Sequence, residues 1–412
     1  MPTGRLIFVM CAALVLNQTG FMTLAAVLPQ AIAEWRLSGS EAGWINGIFF
    51  GAYAGAVPLL ASLTDRIDPR RVYLAASLLG AAAGFAFFAF AEGFWSALLL
   101  RAVAGVALAG CYMPGLKLLS DRLDGAAQAR GAAVYTSVFA LGGAWSFLAA
   151  GLLAAQLGWR WAFFGVGMGG LAAFALALLA PATPRPAGAA AGWVPDLRPV
   201  LRVAELRRYF VAAAGHTWEI FAVRSWFVAF LGFNVGLAGN GGFAGWNLPL
   251  LGALGSLLAV PASIAIAEAA QRYGRRRAIV ATTLASVAVA LAIAANVAAW
   301  FPLLLLLALL HSATAFGDNG TLASGVVASA EPQRRGTALA AYSLFGFTGG
   351  FLGPLAVGLV IDLAGGTAEP RAWSAAFVVI ALGSALGTAA FGLGRRPAAV
   401  TRPAPTRPAP TR

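Results

Sequence analysis

Charge, histidine and cysteine are all scarce in this 412-residue chain. Only 10% of residues are charged, where a soluble domain carries roughly 25%. That shortfall excludes the two or three soluble domains that the length would accommodate. Two cysteines, Cys11 and Cys111, lie inside apolar runs and provide neither a disulfide framework nor a zinc pattern. The two histidines, His216 and His311, are also deep in apolar runs, without metal-ligand spacing. No metal and no cofactor is expected. A single lysine, Lys117, and the lack of a glycine-rich loop ending in Lys-Ser/Thr argue against an ATP-driven pump. The net charge of +13 has no soluble basic domain behind it, so nucleic acid is not an expected partner.

Apolar residues are what the chain has: 60% of the total, with a mean hydropathy of +0.80. A helix needs about 20 mostly apolar residues to cross a bilayer. Its backbone must satisfy itself internally there, so apolar runs of that length read as helices. Twelve runs qualify: 5–29, 42–63, 72–91, 94–117, 131–155 and 161–181, then 209–233, 244–266, 278–297, 302–328, 337–361 and 373–394. We call them spans 1 to 12. The first is longer than the apolar core of a signal peptide, about 7–15 residues, and reads as an uncleaved span.

Arginine placement sets the orientation. With the N-terminus inside, the cytoplasmic segments hold 23 of the 28 basic residues. The other side holds Arg36, Arg160 and Arg371, while Arg101 and Arg224 fall within spans. Both termini are therefore expected on the cytoplasmic side of a bacterial inner membrane. Residues 182–208, rich in proline and arginine, read as a cytoplasmic linker. Residues 395–412 repeat Thr-Arg-Pro-Ala-Pro and read as a disordered cytoplasmic tail. Contact of its arginines with anionic headgroups is the alternative to a purely solvated tail.

The two halves resemble each other. Asp65-Arg66 recurs as Gln271-Arg272, Gln128-Ala129-Arg130-Gly131 as Gln333-Arg334-Arg335-Gly336, and Gly142-Gly143 as Gly349-Gly350. Trp159 and Phe163 recur as Trp373 and Phe377. Four landmarks in the same order predict an all-α protein of two parallel six-helix bundles, 1–181 and 209–394. Secondary transporters bind substrate between such repeats and rock them alternately.

The loop after span 2 reads Ala61-Ser62-Leu63-Thr64-Asp65-Arg66-Ile67-Asp68-Pro69-Arg70-Arg71. It resembles the major facilitator superfamily loop signature Gly-x-x-x-Asp-Arg-x-Gly-Arg-Arg. Asp65, Arg66 and Arg70 match; Ala61 and Asp68 replace the glycines, and Pro69 replaces one arginine. The second copy, Gln271-Arg272-Tyr273-Gly274-Arg275-Arg276, keeps Gly-Arg-Arg but has Gln271 in place of the acid. The resemblance implies the twelve-helix fold of that superfamily. It also implies a cytoplasmic gate in which Asp65, helped by Asp121, latches span 2 to the start of span 11. Asp65, Arg66, Arg70, Asp121, Arg272, Arg275 and Arg276 are its candidate members. A charge cluster that merely enforces orientation is the plainer alternative.

Polar residues at bilayer depth are functional candidates by default. Span 1 carries Asn17 and Gln18. Span 4 carries Arg101, within an Arg-x-x-x-Gly pattern that the resemblance links to proton coupling; hydrogen bonding to span 1 carbonyls is its structural alternative. Span 7 carries His216, Glu219 and Arg224, with His216 and Glu219 three residues apart on one face. Span 10 carries His311, Asp318 and Asn319. In the resembled family spans 1, 4, 7 and 10 line the central cavity. Glu219 and the histidines are candidate proton carriers, with a structural ion pair as the alternative. Trp218, Phe221, Trp226 and Phe227 face either a cavity or lipid. Gly47, Gly51, Gly55, Gly346 and Gly350 read as packing positions.

The functional expectation is a monomeric secondary active transporter, coupled to protons, that moves a small organic solute. The arginines and histidines favour an anion. Proton-antiport efflux of amphipathic drugs is the alternative, weakened because span 5 lacks the Gly-Pro signature of that group. A lipid-modifying membrane enzyme is a remote third.

Overall fold

The computed structural model describes residues 1–182 and 196–392. The tail and most of the central linker, both expected to be irregular, lie outside the described residues. Among those described, the chain is helical and contains no strand. Nine helices there are long and apolar enough to cross a membrane. They are Gly39–Leu63 (span 2), Pro69–Phe90 (span 3), Phe94–Ser120 (span 4), Gly125–Leu157 (span 5), Leu248–Tyr273 (span 8), Arg275–Ala295 (span 9), Phe301–Ser329 (span 10), Arg335–Leu363 (span 11) and Pro370–Phe391 (span 12). Trp161–Ala177 forms the shorter span 6, and Ala204–Val235 forms span 7 with its charged residues. An interrupted span 1 completes the twelve.

Spans 2 and 3 each begin three residues before their apolar runs because a polar cap starts the helix there. Ser38 accepts from the Glu41 amide and Glu41 accepts from the Ser38 amide, a capping box that starts span 2 three residues early. Asp68 accepts from the Arg70 amide at 2.9 Å, with Pro69 in the first helical turn of span 3. That explains Asp68 and Pro69 where the family loop has glycine and arginine: this chain has spent those positions on a helix start. Span 7 begins at Ala204, inside the segment read as linker, and a short helix, Arg198–Leu201, precedes it.

Two spans read as continuous helices are broken. Span 1 runs as Thr3–Asn17, a 3-10 turn Gln18–Gly20, then Thr23–Ala26 and Leu28–Trp35. Span 10 divides into Phe301–Phe316 and Asn319–Ser329. In each case side-chain donors and acceptors compete with the helical ladder, a local effect that apolar periodicity does not register.

Spans 1–6 pack together, as do spans 7–12. The groups meet where span 2 packs on span 11 and span 5 on span 8, and where the upper part of span 1 touches span 7. The face bearing the loops 1–2 and 11–12 is closed. Asp362 at the end of span 11 accepts from the amides of Gly39 (2.6 Å) and Ser40 (2.7 Å), the exposed donors of span 2. The backbones of Gly39 and Gly358 touch there, an approach that a side chain at either position would prevent. On the same face, Glu34 takes bonds from Trp159 and Arg160, both at 2.7 Å, tying span 1 to span 6.

Replacing Asp362 with alanine is expected to cost about 1 kcal/mol, the usual worth of an N-terminal cap, and to open this face. Labelling of a cysteine at Ser40 by an impermeant maleimide should rise in the Asp362→Ala background. Identical labelling with and without Asp362 would show that the carboxylate does not hold the closure.

Candidate functional site

The break in span 1 is the starting point, because it frees backbone groups at bilayer depth. The hydroxyl of Ser146, on span 5, donates to the Thr19 carbonyl (2.5 Å) and accepts from the Met22 amide (2.8 Å). Trp145 donates to the Thr19 hydroxyl at 2.9 Å. Arg101, 3% exposed, donates to the Gly20 carbonyl at 2.8 Å and lies 4.3 Å from the centre of the Phe49 ring. The structure thus gives Arg101 the carbonyl-bonding position on span 1. Trp145 and Ser146 were missed as site residues; the signal was two donors following Gly142-Gly143 in an otherwise apolar span.

Asn17 turns into the first bundle and donates to Tyr73 (3.1 Å) and Ser77 (3.0 Å) on span 3. Gln18 is different. It is fully buried, and neither atom of its amide finds a hydrogen-bond partner among the described residues. The amide lies directly over Gly142 of span 5, in the space a side chain there would need. One residue further on, Gly143 lies under the guanidinium of Arg224, whose Nη1 is 3.3 Å from the position a Cβ would take. Gln18 from the first bundle and Arg224 from the second therefore converge on one glycine pair.

Arg224 makes no ion pair among the described residues. Its guanidinium stacks 4.1 Å from the centre of the Phe316 ring. An arginine at the centre of a span costs about 2.5–3.5 kcal/mol, and a cation–π contact returns about 0.5–2 kcal/mol. The balance favours an anion beside Arg224. The space there now holds about 10 Å³, room for roughly one water, between Arg224, Gly255, Ser312 and Phe316. Aromatic rings fill the adjoining interface: Phe50 stacks on Phe221 at 4.0 Å, and Tyr53 meets Phe347 at 4.1 Å.

The remaining candidates gather inside the second bundle. His216 Nδ1 is 2.7 Å from Asp318 Oδ1, and His311 Nε2 is 3.0 Å from Glu219 Oε1. Spans 7 and 10 each supply one histidine and one carboxylate, crosswise. Glu219 also accepts from Ser286 of span 9 (2.6 Å) and Ser384 of span 12 (2.5 Å). Asn319 follows Asp318 directly in the chain, at the start of the second segment of span 10. All four ionisable residues are at most 4% exposed. Glu219 thus faces spans 9, 10 and 12, not the interface between bundles. Trp218 and Trp226 are also turned from that interface: they donate to the carbonyls of Val379 and Pro354. Phe221 does line it.

At the arginine-rich face, Asp65 and Asp121 both lie against Lys117, at 3.4 and 3.5 Å. The expected contact of Asp65 with the start of span 11 is replaced by this cluster within the first bundle, since the bundles close on the opposite face. Arg70 donates to the Leu178 carbonyl at 2.6 Å, capping the end of span 6. Arg66 has partners of its own. In the second copy of the loop, Arg275 bonds the Tyr209 hydroxyl, while Arg272 is exposed and Arg276 half-exposed.

The Major Facilitator Superfamily model matches residues 10–246 and again 237–412. The chain belongs to that superfamily. It is a multi-pass membrane protein of that family. Solved structures agree on the fold. The nucleoside transporter NupG superposes with a TM-score of 0.75 at 15% identity, over 95% of this chain and 98% of NupG. A bacterial homologue of the human lysosomal transporter Spinster, inward-facing and unoccupied, gives 0.76 at 16% identity, over 95% and 97%. The human organic anion transporter MFSD10 gives 0.64 at 20% identity, over 93% and 100%. Among curated relatives, human spinster homolog 1 is 26% identical over 249 residues, 56% of this chain and 46% of that protein. A putative tartrate transporter of Agrobacterium vitis is 32% identical over 127 residues, 31% of this chain and 28% of that protein. The matched region therefore spans less than half the length of these relatives.

A methyl group at position 142 would land on the Gln18 amide. Gly142→Ala is expected to destabilise the protein by about 1–3 kcal/mol, as overpacking does. Gln18→Ala in the same chain should restore most of the loss, read as thermal unfolding in detergent. Additive effects of the two changes would mean that the residues do not share this space.

Proposed function

We propose that this protein is a proton-coupled carrier of a small organic anion, bound between the bundles at Arg224 and Gln18. One observation carries the reading: among the described residues, a membrane-depth arginine has no carboxylate partner and lies beside an amide with both hydrogen-bonding atoms unused. A carboxylate ligand would accept from Arg224 and from the Gln18 amide nitrogen together, supplying the bonds that both lack. The name of the MFSD10 structure, an organic anion transporter, and that of the tartrate relative support the same class of solute.

On this reading the two histidine–carboxylate pairs of spans 7 and 10 carry the coupling proton. Each pair takes up or releases a proton with little rearrangement, because donor and acceptor are already in contact. The arginine-rich face is cytoplasmic, in a bacterial inner membrane, with both termini there. The bundles 1–181 and 209–394 rock about the linker 182–208 to alternate access. The structure, closed on the opposite face, then corresponds to the inward-directed side of that cycle. Lys117 gathers Asp65 and Asp121 in this state, and rocking the bundles toward each other would hand Asp65 to span 11.

Uptake into proteoliposomes under an imposed pH gradient tests this, with a panel of mono- and dicarboxylates identified first by thermal shift. Arg224→Gln should lower carboxylate uptake at least tenfold, with Arg224→Lys intermediate, since lysine keeps the charge but not the fork geometry. Wild-type uptake of uncharged or cationic solutes alone would overturn the assignment of the anion. Glu219→Gln should abolish gradient-driven accumulation while leaving counterflow exchange; unimpaired accumulation would remove Glu219 from proton coupling.

A further inference from the structure

A wide cleft of the second bundle lies away from the interface between the bundles. Spans 11 and 12 both rest on span 7 through glycines. Gly349 and Gly353 of span 11 touch the Ala214 and Trp218 carbonyls, and Gly215 of span 7 touches the backbone of Gly383 and Gly387 on span 12. Both neighbours are thereby drawn onto span 7, and a cleft of about 700 Å³ is left between spans 11 and 12. Ala214, Gly215 and Trp218 form its floor. The walls come from Leu344, Thr348 and Leu352 on one side and Val379, Leu382 and Leu386 on the other.

The cleft faces outward. Span 11 meets span 2 through Phe351, Pro354 and Gly358, on a different side from Thr348 and Leu352. The rim is open: Leu352 is 41% exposed, Leu382 55% and Leu386 71%. Its lining offers almost no polar group. The Thr348 hydroxyl is turned back to its own helix and donates to the Leu344 carbonyl at 2.8 Å. Such a surface suits hydrocarbon and rejects water and polar solutes.

The cleft also has a charged mouth. From Trp218 to Val211 it runs about 10 Å along span 7 toward the arginine-rich face. One turn beyond Val211 on the same side of the helix is Arg207, exposed, its Nη1 bonded to the Leu201 and Arg202 carbonyls at 2.9 and 3.2 Å. Arg208, its neighbour, is the one that pairs with Glu205. Arg207 forms no ion pair among the described residues.

We propose that this cleft is a phospholipid site: an acyl chain of the leaflet on the arginine-rich side lies between spans 11 and 12, and its phosphate meets Arg207. Depth, apolar lining, open rim and the position of the unpaired guanidinium all fit that one occupant. The inference needs the membrane fold but not the anion reading, since Arg224 faces span 5 on another side of span 7.

Phosphatidylglycerol with a photoreactive group at mid-chain, in vesicles containing the purified protein, tests it by mapping cross-links with mass spectrometry. Cross-links should concentrate on residues 344–352 and 379–387. Leu382→Trp, which fills the cleft from one wall, should reduce them at least fivefold; Leu352→Trp should do so from the other wall, in case one variant folds poorly. Leu303→Trp, an exposed position on span 10, should change nothing. Arg207→Gln should lower cleft labelling by phosphatidylglycerol at least threefold. Labelling spread evenly over exposed leucines, or unaffected by either tryptophan, would overturn the site. Labelling sensitive to tryptophan but indifferent to Arg207 would overturn the phosphate contact.

Discussion

Lipid offers a stranded charge no water, and the arrangement of this protein follows from how it meets that constraint. Arg101 is held by the Gly20 carbonyl and the Phe49 ring. His216 and Asp318 are joined, and so are His311 and Glu219, the latter with two serines. Among the described residues, Arg224 differs from Arg101 and the histidine–carboxylate pairs in having only an aromatic ring for company. The exception has meaning because the rule is kept everywhere else. A protein that finds partners for four titratable groups inside one bundle has not left a fifth unpaired for want of carboxylates.

Two broken spans complete the pattern. Irregular backbone at bilayer depth persists only where protein re-satisfies the freed groups. In span 1 Ser146, Trp145 and Arg101 do so, and the break delivers Gln18 to the interface. In span 10 the break falls at Gly317-Asp318, with His216 holding Asp318 from span 7. Each bundle thus has one interrupted helix, fixed by polar side chains from a neighbour. On the proposed reading these are the places where rocking is translated into changed contacts at the ligand.

The fold was legible in the sequence because its cause is coarse. Twelve apolar runs, arginine asymmetry and a repeat near the midpoint each survive errors of several residues. The polar residues that matter were legible too, since anything ionisable at that depth stands out. Their partners were not. Glu219 meets Ser286 and Ser384, and serine in an apolar helix is too common to be a signal. The direction in which Glu219 points depends on helix rotation, which a weakly amphipathic span such as 204–235 leaves unset. The breaks at Gln18 and Asp318 were hidden for a related reason: hydropathy averages over a window longer than the interruption. Asp65 was read with the wrong partner because a family signature describes a cycle, whereas a structure shows one state of it.

The separation of the two polar centres constrains how they communicate. Arg224 and Glu219 are five residues apart on span 7, about 140° round the helix, and their side chains leave on different sides, one toward span 5 and the other toward spans 9 and 12. Glu219 therefore does not compete with an anion for Arg224, and direct exchange of partners is excluded as the coupling device. Span 10 touches both centres. Phe316 lies beneath the Arg224 guanidinium, and two residues later Asp318 holds His216; His311, about two turns before Asp318, holds Glu219. A ligand that draws Arg224 off Phe316 acts on the segment that carries both span 10 partners, immediately before its break. Spans 7 and 10 both contribute to the anion site and to each proton pair, but only span 10 is interrupted between them; if the proposed coupling operates, that break is where the two centres can move relative to each other.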